Sequence, residues 1–254
     1  MIPHTQKYLR DFIQNSRLLT ALDLIEAHLG VSVVAKASTE VSIAGIQHDH
    51  LPIFLYNQNS EDYTHEGALF HELMHLSLHI EGWPILDYGE GFYELKAKFP
   101  KNAEWITDTL WDIFSHTEIY RREKLCGFSS FQEREVDNYI NTLMPDLPKL
   151  CLGWRQHVEL LNVIPALLAP ASLDMHTRLS EGLEAHLPPT AYRQVEIICR
   201  GILERQQFFP QSIPAVFEEV AFKLKLPQKL VAPYHLPKTA PGFFGEIQRI
   251  FRKD

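Results

Sequence analysis

EGALFHELMHLSLHIEGWP, residues 66–84, governs how the rest of the chain is read. Leu69, Phe70, Leu73, Met74, Leu76, Leu78 and Ile80 leave hardly any polar face, so the spacing predicts a helix buried nearly all round. Gly82 and Pro84 end it. Inside this rod stand His71, Glu72, His75 and His79. Burying imidazoles and a carboxylate without partners costs several kcal/mol, so something must compensate them. Residues four apart on a helix lie one above the other, about 5–6 Å between Cβ atoms. His71 and His75 can therefore both reach one divalent ion at about 2.0–2.1 Å. Glu72, turned about 100° from His71, is placed to take a proton from a water beside that ion. The plain alternative is a buried cluster in which the histidines bond to backbone carbonyls and Glu72 pairs with one of them. His79 continues the stripe, but three ligands from one straight helix cannot converge tetrahedrally, so it is expected near the ion and not on it.

Working outward, residues 6–29 carry Tyr8, Leu9, Phe12, Leu19, Leu22 and Ile25 near helical spacing, with Gly30 as a stop, and predict an amphipathic helix. VSVVA, VSIAGIQ and LPIFLYN then predict short strands, the last opened or placed at an edge by Pro52. The polar loop NQNSEDYT follows, and Thr64 or Asp62 is expected to cap the histidine-bearing helix. After a mixed loop, residues 103–124 predict a long helix, and Ser130 begins another that Pro145 stops. Beyond residue 150 each periodic segment is helical: 154–168, 173–186, 190–208, 214–225 and 243–252. The fold class is α+β and mainly helical, a small sheet unit over residues 1–147 followed by a helical region over 148–254, with the boundary near DLPKLCLG.

The 254 residues are 45% hydrophobic and 22% charged, enough for a sizeable core. A formal net charge of −8 argues against nucleic acid or an anionic membrane surface as partner. MIPHTQKYLRDF carries no signal-peptide pattern, and no stretch is apolar enough to span a bilayer, so a cytoplasmic protein is expected. Cys126, Cys151 and Cys199 are odd in number, scattered and without a CxxC pair, which predicts buried reduced thiols. A nucleophilic Cys126 has no supporting pattern. His48-Asp49-His50 puts two histidines on one strand face, a weak candidate for a metal or substrate contact.

Together, PIFLYNQNS and GALFHELMHLSLHIEG, residues 52–60 and 67–82, resemble the zincin metallopeptidases, and within them the IrrE/ImmA-type family, in which a strand and polar loop lead into His-Glu-x-x-His. The resemblance covers about residues 50–82 and reaches weakly to 145. It implies a Zn2+-binding helix, an adjacent sheet whose edge strand receives extended peptide, and Glu72 as catalytic base.

A catalytic zinc takes a third protein ligand and keeps one position open. In residues 103–124, His116 lies on the stripe of Leu110, Ile113 and Tyr120, and Glu118 on that of Trp111 and Phe114. Two residues apart, only one of them faces the first helix squarely. Glu118 would match the third glutamate of gluzincins but has Arg121 and Arg122 at ion-pair spacing. His116 has Asp112 one turn earlier to orient it, and is preferred. Tyr120, if it faced the metal, could donate to an oxyanion. EREVDNYINTLMP, residues 133–145, is similar to the family's Glu-x-x-Ala-Asn/Asp helix closing on Leu-Met-Pro, which implies Glu133 as the ligand. Its spacing is one residue short, its distance from His75 is long, and Ser130 to Glu133 also reads as a capping box.

The expected protein is a zinc-dependent hydrolase of peptide bonds, with His71, His75 and His116 on the metal and Glu72 as general base. Its expected partners are a peptide or protein substrate and a protein bound through the helical C-terminal region. The alternatives are a zincin-like regulatory, partner-binding protein with little proteolysis, and a metal-free helical interaction protein.

Overall fold

In a computed structural model of the chain, residues 6–41, 43–48, 51–84, 87–142, 144–146, 156–168, 173–232 and 240–252 are described. The fold is mainly helical α+β around a small mixed sheet. The chain divides into two compact units. One is residues 1–83, 122–131 and 236–254; the other is 84–121 and 132–235. The division is discontinuous, because the C-terminal helix returns to the first unit. The segment DLPKLCLG, where composition alone puts a boundary, lies outside the described residues.

The first unit opens with strand β1, Lys7–Tyr8, and a 3-10 turn over Leu9–Phe12 before helix α1, Ser16–Leu29. The single helix expected over 6–29 is therefore broken. Asn15 breaks it: its side chain accepts from Arg17 N–H at 2.9 Å and Leu18 N–H at 3.3 Å, satisfying amide donors that the first helical turn leaves open. Gly30, at φ 71°, closes α1 in the left-handed conformation that only glycine adopts without cost. Strands β3 (Ala44–His48) and β4 (Pro52–Tyr56) fall within or beside the expected runs, and β2 (Val34–Ala37) begins at the end of VSVVA. Their order is β1-β2-β4-β3, with β2 parallel to β4 and β3 an antiparallel edge.

Helix α2, Glu66–Ile80, follows a 3-10 turn over Glu61–Thr64. Its N-cap is His65, whose Nδ1 accepts from Gly67 N–H at 3.1 Å, in place of the expected Thr64 or Asp62. The turn absorbs Asp62 and Thr64, leaving His65 with the extended backbone a cap requires. α2 packs on α1 and on β3, with Leu69, Phe70, Leu73 and Met74 fully enclosed.

In the second unit, α3 spans Glu90–Lys98, inside what the sequence offers only as a loop. Only Gly91, Phe92 and Leu95 of α3 are buried, a stripe too narrow to register as periodicity. Gly91 is required there: a Cβ on it would stand 1.9 Å from the Gln228 carbonyl oxygen. Helix α4 runs unbroken for 24 residues, Ala103–Cys126, contributing its last turn to the first unit. Helices α5 (Ser129–Thr142), α6 (Gln156–Leu168), α7 (Leu173–His186), α8 (Pro189–Arg205) and α9 (Ile213–Lys223) follow the predicted periodic segments. α6, α7 and α8 pack on one another, and α9 packs on α8. Helix α10, Phe243–Phe251, buries Phe243, Phe244, Ile247 and Phe251 against α1 and α2. Among the described residues no helix is long and apolar enough to cross a membrane.

Candidate metal centre

α2 carries the site because its surroundings allow no slack. Phe70 stacks on Phe128 at 4.3 Å between ring centroids and meets the edge of Phe251 at 5.2 Å, which fixes the rotation of the helix. Within that frame the His71 and His75 rings stand 5.1 Å apart, edge to face, as an i, i+4 pair should. His71 is buried, His75 half-buried, and Glu72 is only 6% exposed.

The end of α4 docks on α2 through two consecutive charged residues, both buried. Arg122 donates to Ser77 Oγ at 2.6 Å, pairs with Glu81, and lays its guanidinium over the ring of Phe244 at 4.7 Å. Glu81 also accepts from Phe244 N–H at 2.8 Å, which ties α10 into the same network. Glu123, with no exposed side-chain surface, places Oε1 2.8 Å from His71 Nδ1. α4 also carries His116. That residue precedes Glu123 by seven positions, two turns of helix, and so lies on the same face.

One ligand atom each from His71, His75 and His116 lie within 4.8 Å of one another among the described residues. Three nitrogens on one tetrahedral zinc at ~2.0–2.1 Å stand about 3.3 Å apart, inside that 4.8 Å limit. The donor set, three imidazole nitrogens, suits a metal ion of borderline softness. His75 and His116 are half-buried, so the cluster is not sealed in the core.

The other candidates fall elsewhere. Glu118 is buried but accepts two hydrogen bonds from Arg121, at 2.8 and 2.6 Å, and does not join the histidine group. Glu133 sits half-buried on α5, also outside that group, and the Ser130 side chain of its alternative capping box lies outside the described residues. Tyr120 is buried with its ring centroid 5.8 Å from that of His116. Asp49 and His50 lie outside the described residues. Burial pushes the Cys126 thiol up to about 12, with nearby Arg122 only partly opposing the shift, so it is no nucleophile near neutral pH.

Glu123 is the residue that sequence reasoning misses. It stands in Arg121-Arg122-Glu123-Lys124, a run of four charges that reads as solvated helix. The available signal was its seven-residue spacing from His116. Compared with protein-family models, with curated proteins and with solved structures, the chain matches none of them.

Proposed function

We propose that this chain is a zinc-dependent metallopeptidase of the zincin type, related to the IrrE/ImmA-type family but holding its metal on three histidines. The observation that carries the reading is the meeting of His71, His75 and His116 beside Glu72. Zinc, when bound there, supplies the Lewis acid that polarises a scissile carbonyl and makes a water acidic near neutral pH.

The chain's own residues do the remainder. His71 and His75 offer imidazole donors from one helix, and His116 supplies the third from α4, leaving one coordination position for water or substrate. Glu72 takes the proton from the attacking water and hands it to the departing amine as the carbon–nitrogen bond breaks. Few solvent molecules reach Glu72 to compete for that proton, since the side chain is almost entirely enclosed. Edge strand β3 packs against α2, and its outer backbone offers hydrogen bonds to a peptide lying extended alongside it. An extended peptide, in preference to a compact small molecule, is the substrate this arrangement suits.

The test is Glu72→Gln. The variant is expected to retain one zinc per chain by elemental analysis while losing cleavage of an unstructured protein substrate by about two to four powers of ten, the scale of a lost general base. Cleavage at the wild-type rate by the variant overturns the mechanism. His75→Ala and His116→Ala are expected to lose the metal, and Glu118→Ala and Glu133→Ala to keep it.

A further inference from the structure

Glu123 has no part in the proposed reaction, yet its carboxylate is entirely withdrawn from water. Placing an ionised carboxylate there is costly, and a glutamate at the end of a long helix could as readily face solvent. Its position against His71 is specific, with 2.8 Å between Oε1 and Nδ1. A carboxylate oxygen at this distance is matched by the tautomer in which the imidazole Nδ1 carries the hydrogen and donates it. With Nδ1 donating, the lone pair of the His71 ring lies on Nε2. The neighbouring Arg122 has a separate task, since its guanidinium engages Ser77, Glu81 and the Phe244 ring.

We propose that Glu123 is a positioning residue: it holds the His71 ring in the Nδ1–H tautomer and in the orientation that presents Nε2 to the metal. Helix α4 then supplies both a ligand, His116, and the carboxylate that orients a ligand on the facing helix. The bond also polarises the ring, making Nε2 a stronger donor. The inference rests on the reading of His71 as a metal ligand.

The experiment measures zinc affinity of the full chain by competition with a chromophoric chelator, together with the visible absorption of the cobalt(II)-loaded protein. Wild type, His71→Ala, Glu123→Ala and Glu123→Gln are compared, and thermal melts of the metal-free proteins report folding separately. Glu123→Ala is expected to weaken zinc binding about 10- to 100-fold and to shift the cobalt bands. Glu123→Gln keeps an acceptor oxygen of the same reach and is expected to recover part of the affinity. Should Glu123→Ala fail to fold, the glutamine variant carries the test, with a several-fold loss and a perturbed cobalt spectrum expected. If His71→Ala loses the metal while the folded Glu123 variants bind zinc as wild type with unchanged spectra, Glu123 is only structural and the proposal is wrong. If His71→Ala binds zinc as well as wild type, the metal-centre reading fails first and this inference with it.

Discussion

Replacing Arg122 by alanine tests the joint on which the site depends. The Arg122 side chain is 4% exposed and that of Glu81 is 11% exposed, so the pair sits in a poorly solvated setting. Removing one member of a buried, hydrogen-bonded pair costs about 3–5 kcal/mol, chiefly because the other charge stays buried and uncompensated. Here the remaining charge is Glu81, which keeps the Phe244 amide at 2.8 Å, and that places the expected loss in the lower half of the range, about 3–4 kcal/mol. The cation–π contact with Phe244 and the bond to Ser77 go with the same side chain and are not added separately. The assay is native-state hydrogen exchange of the α2 and α10 amides, where this cost appears as a loss of protection by about two to three powers of ten. Zinc affinity should fall as well, because Arg122 shares the last turn of α4 with Glu123, which meets His71. The control is Arg122→Met with Glu81→Leu, which removes both charges and should be far milder than Arg122→Ala alone. An Arg122→Ala cost below about 1 kcal/mol, or a double variant as damaged as the sum of the single ones, refutes the reasoning.

Other expectations follow from single sites. With Cys151 replaced by serine, neither Cys126 nor Cys199 should react with a thiol reagent at pH 8 in the folded protein, since burial pushes both thiols up to about 12; both should react in denaturant. Gly91→Ala should cost more than about 3 kcal/mol by urea denaturation, because its Cβ meets the backbone of Gln228, which cannot step aside as a side chain could. Gly245→Ala, by contrast, adds a Cβ to α10 with nothing within 4 Å and should stabilise by up to about 1 kcal/mol. Hydrogen bonds from Lys223 and then Arg205 hold the Glu219 carboxyl below its usual range. A depressed carboxylate contributes stability above the ordinary glutamate value of about 4.3, and that contribution is lost as pH falls through the folded value. The urea midpoints of wild type and Glu219→Gln should therefore converge on acidification, and a gap that persists or widens contradicts the assignment.

Elements with a long or repeated pattern could be read from the sequence, and elements set by one residue or one contact could not. β3 and β4 come from short runs rich in β-branched and aromatic residues, and α2 is apolar all round and closed by Gly82, so both features sit in plain view. The start of α1 is different: Tyr8, Leu9 and Phe12 keep helical spacing with the residues beyond, and only the side chain of Asn15 decides that the helix begins after them. β1 has two residues, too few for any period to exist. α3 has a three-residue buried stripe, and its glycine-rich start is held by a tertiary approach to residues 228–231 that no local pattern encodes.

The site divides along the same line. His71, Glu72 and His75 are legible because their relation is local, fixed by helix geometry within one turn. His116 is legible only as a choice between two faces of α4, because no pattern within a single helix says which face a partner will meet. Arg122 and Glu123, which pack the last turn of α4 on α2, look like solvated charge in the sequence. Their burial makes physical sense only as a pair of unlike tasks. Arg122 neutralises Glu81 and caps the network to Phe244, while Glu123 reaches His71. Turning α4 by 100° to bring Glu123 out to solvent would carry His116 away with it, since the two lie on one face. Had Glu118 been the third ligand, two apart from His116 and bonded to Arg121 on another face, the same docking residues could not have served it. On α4 the proposed third ligand, His116, is thus aligned two turns before the carboxylate that meets His71, and Glu118 is not.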